Sequence, residues 1–319
     1  MNARPAIVLT LLALALIGVA AAAVVIGAAE TSSVIVWEIR APRIALAVVI
    51  GAGLGVSGAL LQGTLRNPLA DPGIIGISAG AALGAVTIVA LGAAYGSLLA
   101  AVGATVFGLG AMWLVTWIAR SPSGRTEVVT LVLGGVALTA FAAAVLSVVV
   151  AASDTAGARS TTFWTTGSLS LATWPSLGAT LPFVVLGLIG AAVVSRPLDV
   201  LSLGDRAAYA VGVDVERTRL IALGSAVLLV AAGVAVVGVI AFVGLVVPHL
   251  VRLLLGPRHR PLLLGSALGG ALLLLVADTI ARTVVSPVEL PIGVVTAIIG
   301  APVFVLLLRR TRSAQGGWA

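Results

Sequence analysis

Apolar runs long enough to cross a bilayer recur along almost the whole chain, and they constrain its fold more than any other feature. A helix needs about 20 predominantly apolar residues to span a ~30 Å hydrocarbon core. By that measure spans fall at 6–28, 44–64, 74–94, 97–119, 128–152, 176–195, 219–241, 243–256, 262–280 and 291–308. The expected fold is therefore an all-α, polytopic membrane protein of about ten transmembrane helices in one domain covering 1–319. The first run alone could be a signal peptide with an alanine-rich cleavage region; the many similar runs after it favour a first transmembrane helix. Only 9% of the residues are charged, where a soluble globular domain carries roughly a quarter. The 38 glycines suit close helix–helix approach in lipid.

The least distinct boundary is the one between 219–241 and 243–256, where only Gly238 and Gly244 around Phe242 suggest a break. Charge decides the count. With ten crossings and the N-terminus inside, Arg40, Arg43, Arg159 and Arg282 lie outside, and the other 14 of the 18 arginines lie inside. Merging the doubtful pair moves the C-terminal arginines outside and spoils the asymmetry, so both termini are expected in the cytoplasm. Trp37, Trp164 and Trp174 fall near the outer interface, and Trp113 and Trp117 near the inner one, as in an aromatic belt.

Composition also excludes chemistry. With no cysteine there is no disulfide, thiolate metal site or cysteine nucleophile. Every basic residue is arginine, so the chain cannot carry the lysine of an ordinary P-loop. If ATP drives it, another subunit binds the ATP and its Mg²⁺, and this chain is expected to hold no cofactor of its own. The +7 charge is scattered between apolar runs, which is not a nucleic-acid footprint.

Three polar segments stand out. Between the second and third runs lies Arg66-Asn67-Pro68-Leu69-Ala70-Asp71-Pro72-Gly73, leading into Gly76-Ile77-Ser78-Ala79-Gly80-Ala81. The prolines end a helix near Leu65, and Asp71 can cap a new one with Pro72 at its first position. The simplest reading of this stretch is a hairpin loop. In 196–219, Leu203, Ala207 and Val211 recur every four residues on one face of a short helix. Ser202 can cap its start, Gly212 can end it in a left-handed turn, and Asp214 can cap the helix after it. A surface turn without a partner is the simpler alternative. Outside, Arg40 and Arg43 precede the second run and Arg282 follows the ninth. Arginine suits bidentate pairing with carboxylates of another protein; interfacial anchoring, or a local pair with Glu38 or Glu289, is the alternative. Asp278 lies one helical turn from Arg282, so a local ion pair accounts for it. His249, beside Pro248, reads as structural.

Asn67-Pro68-Leu69-Ala70-Asp71-Pro72-Gly73 with Gly76-Ile77-Ser78-Ala79-Gly80-Ala81 resembles the hallmark of the iron-siderophore and vitamin B12 permeases, the membrane subunits of type II bacterial ABC importers. Leu203 to Val213 resembles the coupling helix of that family. Gly244–Arg252, Val288–Thr296 and Gly300–Phe304 extend the resemblance from about 37 to 308. It implies a permease of the bacterial cytoplasmic membrane that makes no chemical change itself. The implied partners are a second permease subunit, identical or paralogous, two ATPase subunits and an extracytoplasmic binding protein. It assigns ATPase coupling to Leu203, Gly204, Asp205, Ala208 and Gly212, the cytoplasmic gate to Asn67, Pro68 and Leu69, and binding-protein docking to Arg40, Arg43 and Arg282. No gate residue is assigned in 121–130, where Val128 and Val129 stand in place of the small hydroxyl residues expected. The implied cargo is a ferric siderophore, with cobalamin or haem next, and no residue cluster offers to ligate bare iron. The competing class is an ion-coupled secondary transporter, which would need paired ionisable groups at the midplane; only Asp278 and His249 are on offer.

Overall fold

The computed structural model describes residues 3–27, 32–120, 128–153, 161–286 and 288–314. Among them all regular structure is helical. The order is α1 (Ala3–Val25), a π-helical turn (Ile35–Arg40), α2 (Ala41–Thr64), α3 (Ile77–Ala90), α4 (Leu98–Ile118), α5 (Val128–Ala152) and α6 (Thr161–Thr166). Then follow α7 (Trp174–Leu201), α8 (Asp205–Ala210), α9 (Val215–Val237), α10 (Val243–Leu255), α11 (His259–Ala281) and α12 (Ile292–Ala314). Seven helices are long and apolar enough to cross a membrane, and the shorter apolar helices Ile77–Ala90, Val243–Leu255 and Ile292–Leu306 occupy the other three expected runs. The chain is a multi-pass membrane protein.

The core is organised on α2 and α9, while α1 lies at the periphery. Gly51, Gly55 and Gly58 form a stripe at helical spacing along α2. A Cβ on Gly51 would overlap the Gly270 carbonyl, on Gly55 the Ser266 carbonyl, and on Gly58 the Gly244 carbonyl. The α2 backbone therefore touches the backbones of α11 and α10, an approach that only small residues permit in lipid.

The doubtful boundary is a true break. Gly238 (φ 73°) ends α9, and Phe242 (φ 68°) stands in the left-handed region before α10. Unpaired backbone groups are costly within a bilayer. Here Val239 N–H donates to the Trp164 carbonyl, and Ser168 N–H to the Val237 carbonyl. The segment around α6 thus fills the break. It also buries Trp164 completely, edge-on to Tyr95 and Phe163. Trp164 is accordingly a core residue and not a member of the aromatic belt. Trp37, Trp113, Trp117 and Trp174 are exposed, and the Trp174 indole N–H donates to the Trp37 carbonyl at 2.9 Å.

Two local expectations need correction. Asp71 does not cap α3: its Oδ1 accepts from Gly73 N–H at 2.8 Å within a turn, and α3 begins six residues later, at Ile77. Gly76 (φ 85°) separates the two, because the turn at Ile74 and Ile75 is wedged against Gly135 of α5. The sixth run does not end at 195. Helix α7 continues to Leu201 with Leu198 and Leu201 buried, and α9 begins at Val215.

The glycine stripe yields a stability prediction. Gly58→Val should overpack the α2–α10 contact and cost about 1–3 kcal/mol or more, whereas Gly110→Ala, which meets open space, should be near neutral. Thermal unfolding of both variants in detergent checks this.

Candidate functional site

Polar groups gather at the two ends of the bundle. At the end where α1 and α11 finish and α2 starts, Arg40 Nη1 donates to the Val24 and Val25 carbonyls at 2.5 and 3.0 Å. Arg282 Nη2 donates to the Ala23 carbonyl at 2.6 Å. These are last-turn carbonyls of α1, where the helix dipole favours a cation. Arg43 is held by Asp278 through Nε at 2.9 and 3.1 Å, and by both oxygens of Glu289 at 2.9 and 3.0 Å. Arg282 is a second, longer partner of Asp278 at 3.8 Å.

The expected outward-facing arginines are therefore not seen. Arg40 and Arg43 are 4% and 6% exposed, and Arg282 too is turned inward. For Arg43 and Arg282 the reason is Asp278, 1% exposed, whose carboxylate needs a counter-charge once it is out of water, while Arg40 is drawn in by the last carbonyls of α1. The local pair of Arg43 with Glu289 is the alternative that the structure bears out. Together with the Asp278 pair it ties α2 to α11 and to the turn before α12.

At the opposite end, α8 follows α7 after a short turn. Leu203 and Val211 are 76% and 67% exposed, with Ala207 and Tyr209 exposed between them. Ala208 is fully buried, so among the five coupling candidates it faces the bundle. Gly212 (φ 80°) has the expected left-handed conformation, with Val213 N–H bonded to the Ala208 carbonyl. Asp214 caps α9 through Arg217 N–H at 3.0 Å. Ser202 does not cap α8: its hydroxyl donates to the Asp199 carbonyl, and Gly204 (φ 109°) stands at the cap position. Asp205 accepts from Arg219 Nη2 at 3.1 and 3.0 Å and lies 3.4 Å from Arg66 Nη2.

The gate candidates Asn67, Pro68 and Leu69 are half-buried in the turn after α2. Asn67 Oδ1 accepts from Leu69 N–H at 2.9 Å, which holds the turn closed on itself. Of the 121–130 loop, residues 121–127 lie outside the described residues. Beside the turn a pocket of about 470 Å³ opens between Asp71, Gly73 and Ile74, the α5 face Val136, Thr139, Ala140 and Ala143, and Ala241, Phe242 and Leu245. Its lining is apolar except at Asp71 and Thr139. Burial pushes the Asp71 carboxyl up to about 6, against the pull of the Gly73 and Ile74 N–H groups.

Sequence reasoning missed Arg66, Arg219 and the pair of Asp199 with His259, in which Asp199 Oδ1 lies 2.7 Å from both His259 N and Nδ1. No local signal marks them, since Asp205 is 139 residues from Arg66 and His259 is 60 from Asp199.

Residues 6–310 match the FecCD transport family. The chain belongs to the FecCD transport family. Its relatives include the hemin transport system permease protein HmuU of Yersinia pestis, 43% identical over 88% of this chain and 85% of that one. The cobalamin import system permease protein BtuC of Halobacterium salinarum is 43% identical over 89% of this chain and 75% of that one. A solved inward-facing ABC transporter of the metal-chelate type superposes with a TM-score of 0.83 at 34% identity, covering 96% of this chain and 99% of that one. This FecCD-family chain is thus a membrane permease with the architecture of an ABC importer subunit.

Two predictions follow from the charges. Arg43→Ala leaves Asp278 buried without its main counter-charge and should cost about 3 kcal/mol or more. The Arg43→Ala/Asp278→Ala double change should cost less than the two single changes together. Thermal unfolding of the three proteins in detergent checks both points. Asp71 is neutral in the fold up to about pH 6 and ionises near 4 when unfolded. Its contribution is therefore full below about pH 4 and is lost as pH rises from about 4 to 6, by about 3 kcal/mol. Asp71→Asn keeps the acceptor for Gly73 N–H and removes the titration. Relative to it, the parent should lose stability between pH 4 and 7 in a detergent unfolding series.

Proposed function

We propose that this FecCD-family permease is the membrane subunit of a binding-protein-dependent importer, and that α8 is where an ATPase subunit seats. The observation that carries this is the surface of α8: a short helix between two glycines of positive φ, with Leu203, Ala207, Tyr209 and Val211 exposed. An apolar patch held rigid at the end of a bundle suits a groove in a partner. On this reading α8 lies on the cytoplasmic side of the bacterial cytoplasmic membrane, with both chain termini. A second copy or a paralogue completes the pathway. ATP and Mg²⁺ bind on separate ATPase subunits, and the permease makes no chemical change. Asn67, Pro68 and Leu69 stand near the inner mouth as gate. An extracytoplasmic binding protein meets the opposite end. There Arg40, Arg43 and Arg282 act from beneath, holding α1, α2, α11 and the 283–291 turn in the shape that is met.

The cargo is a metal chelate, with a ferric siderophore ranked first and haem or cobalamin as the alternatives named for relatives. The apolar pocket beside Asp71 suits a wrapped metal better than a bare ion. Mass spectrometry of ligand retained by the purified complex with its binding protein decides among them.

The coupling assignment predicts that Leu203→Glu/Val211→Glu abolishes co-purification of the ATPase subunits while leaving the permease folded, since both side chains are already exposed and pack against little of the bundle. Gly212→Val should weaken assembly through backbone strain of about 1–2 kcal/mol. Pull-down with tagged ATPase reads both, and undiminished assembly in the double glutamate variant refutes the seat.

A further inference from the structure

Arg66 occupies a position made for glycine. Asn67 N–H bonds to the Gln62 carbonyl and Arg66 N–H to the Gly63 carbonyl, the double bond pattern that ends a helix in a left-handed residue. Arg66 is that residue, with φ 49°. Among the described residues Phe242 is the one other non-glycine with positive φ. A left-handed arginine is strained relative to glycine, so the side chain has to offer something that glycine lacks. What it offers is a reach to α8. Its Nη2 is 3.4 Å from Asp205 Oδ1, and its Nη1 lies beside Gly204, at ordinary contact distance from where a Cβ would stand.

Asp205 has a second claimant. Arg219 of α9 holds the same carboxylate at 3.0 Å, and Glu216 draws Arg219 at 3.5 Å while lying 4.0 Å from Arg120 after α4. The row Arg66–Asp205–Arg219–Glu216–Arg120 joins the gate turn, α8, the first turn of α9 and the end of α4. Its gate-side link is the loosest contact that Asp205 makes, and Arg66 is 46% exposed against 20% for Arg219. Exposed pairs are weak. A weak contact adds little stability, yet it can be made and broken within a transport cycle.

We propose that Arg66 and Asp205 form a breakable tie that passes movement of α8 to the 65–76 gate turn, with Arg219 retaining Asp205 when the tie opens. Arg66 is then a positioning residue for coupling, distinct from the exposed stripe that would meet the ATPase. The inference rests on the reading of α8 as the ATPase seat.

The chain has no cysteine, so Leu69→Cys gives a single reporter in the gate turn. Its alkylation by N-ethylmaleimide is timed in the complex with ATPase subunits in nanodiscs, without nucleotide and with ATP and vanadate. In the Leu69→Cys protein the rate should differ between the two states. Arg66→Gly should bring the two rates roughly five-fold closer, the factor expected for loss of a contact of this class. Its assembly and ATP hydrolysis should remain, and its thermal stability should be equal or higher because the strain is gone. A role in folding alone would lower stability instead. Asp205→Asn should also draw the two rates together, and Asp205→Glu should restore the difference. Unchanged nucleotide dependence in both Arg66→Gly and Asp205→Asn overturns the tie while leaving the seat standing. A Leu69→Cys complex whose rates never respond to nucleotide overturns the tie and the coupling reading together.

Discussion

The contact on which the rest depends is the backbone-to-backbone packing of α2 against α10 and α11. In lipid the hydrophobic effect does not press helices together, so association relies on close van der Waals fit. Gly51, Gly55 and Gly58 on one side, with Gly244 and Gly270 on the other, bring the chains into direct contact. Helix α2 becomes the axis of the bundle. Its start is then fixed among α1, α11 and the turn before α12, and its end is fixed beside α8 and α9. Both polar clusters sit at the ends of this one helix.

The two clusters differ in burial, and burial sets what each can do. At one end Arg43 sits between Asp278 and Glu289 with almost no exposure. Breaking such a pair strands a charge out of water, so it behaves as a fixed structural joint. At the other end Asp205 is shared between two arginines in partial contact with solvent. Exchange of partners there costs little, because water compensates for what is lost. A rigid joint at one end and an exchangeable one at the other suit the proposal that the two ends of the permease meet different partners.

The broken helix between α9 and α10 is the other organising constraint. A bilayer forbids unpaired backbone, so the break persists because α6 and the residues after it supply partners, the Trp164 carbonyl to Val239 N–H and Ser168 N–H to the Val237 carbonyl. This short helix fills the space beside the pocket that opens between Asp71, α5 and Phe242.

Much of the fold was legible in the sequence, because lipid imposes length and apolarity on each span locally. The ten runs became ten helices, the break came at Gly238–Phe242, Gly212 took its left-handed turn and Asp214 its cap. Family membership was legible too, since it rests on short motifs in a set order. What was not legible is where each side chain points. Trp164 reads as an interface residue until α6 folds inward. Arg40, Arg43 and Arg282 read as outward cations until Asp278, Glu289 and the end of α1 are brought to them. Asp205 reads as part of a docking face until Arg66 and Arg219 arrive from 139 residues before it and 14 after it. Periodicity and caps are set within a few residues, so the sequence by itself determined the helices and those ends, such as Gly238 and Asp214, that a local cap or glycine fixes. Charge pairing joins residues hundreds of positions apart, such as Arg43 and Asp278, so only the tertiary structure decided which arginines are structural and which remain available to a partner.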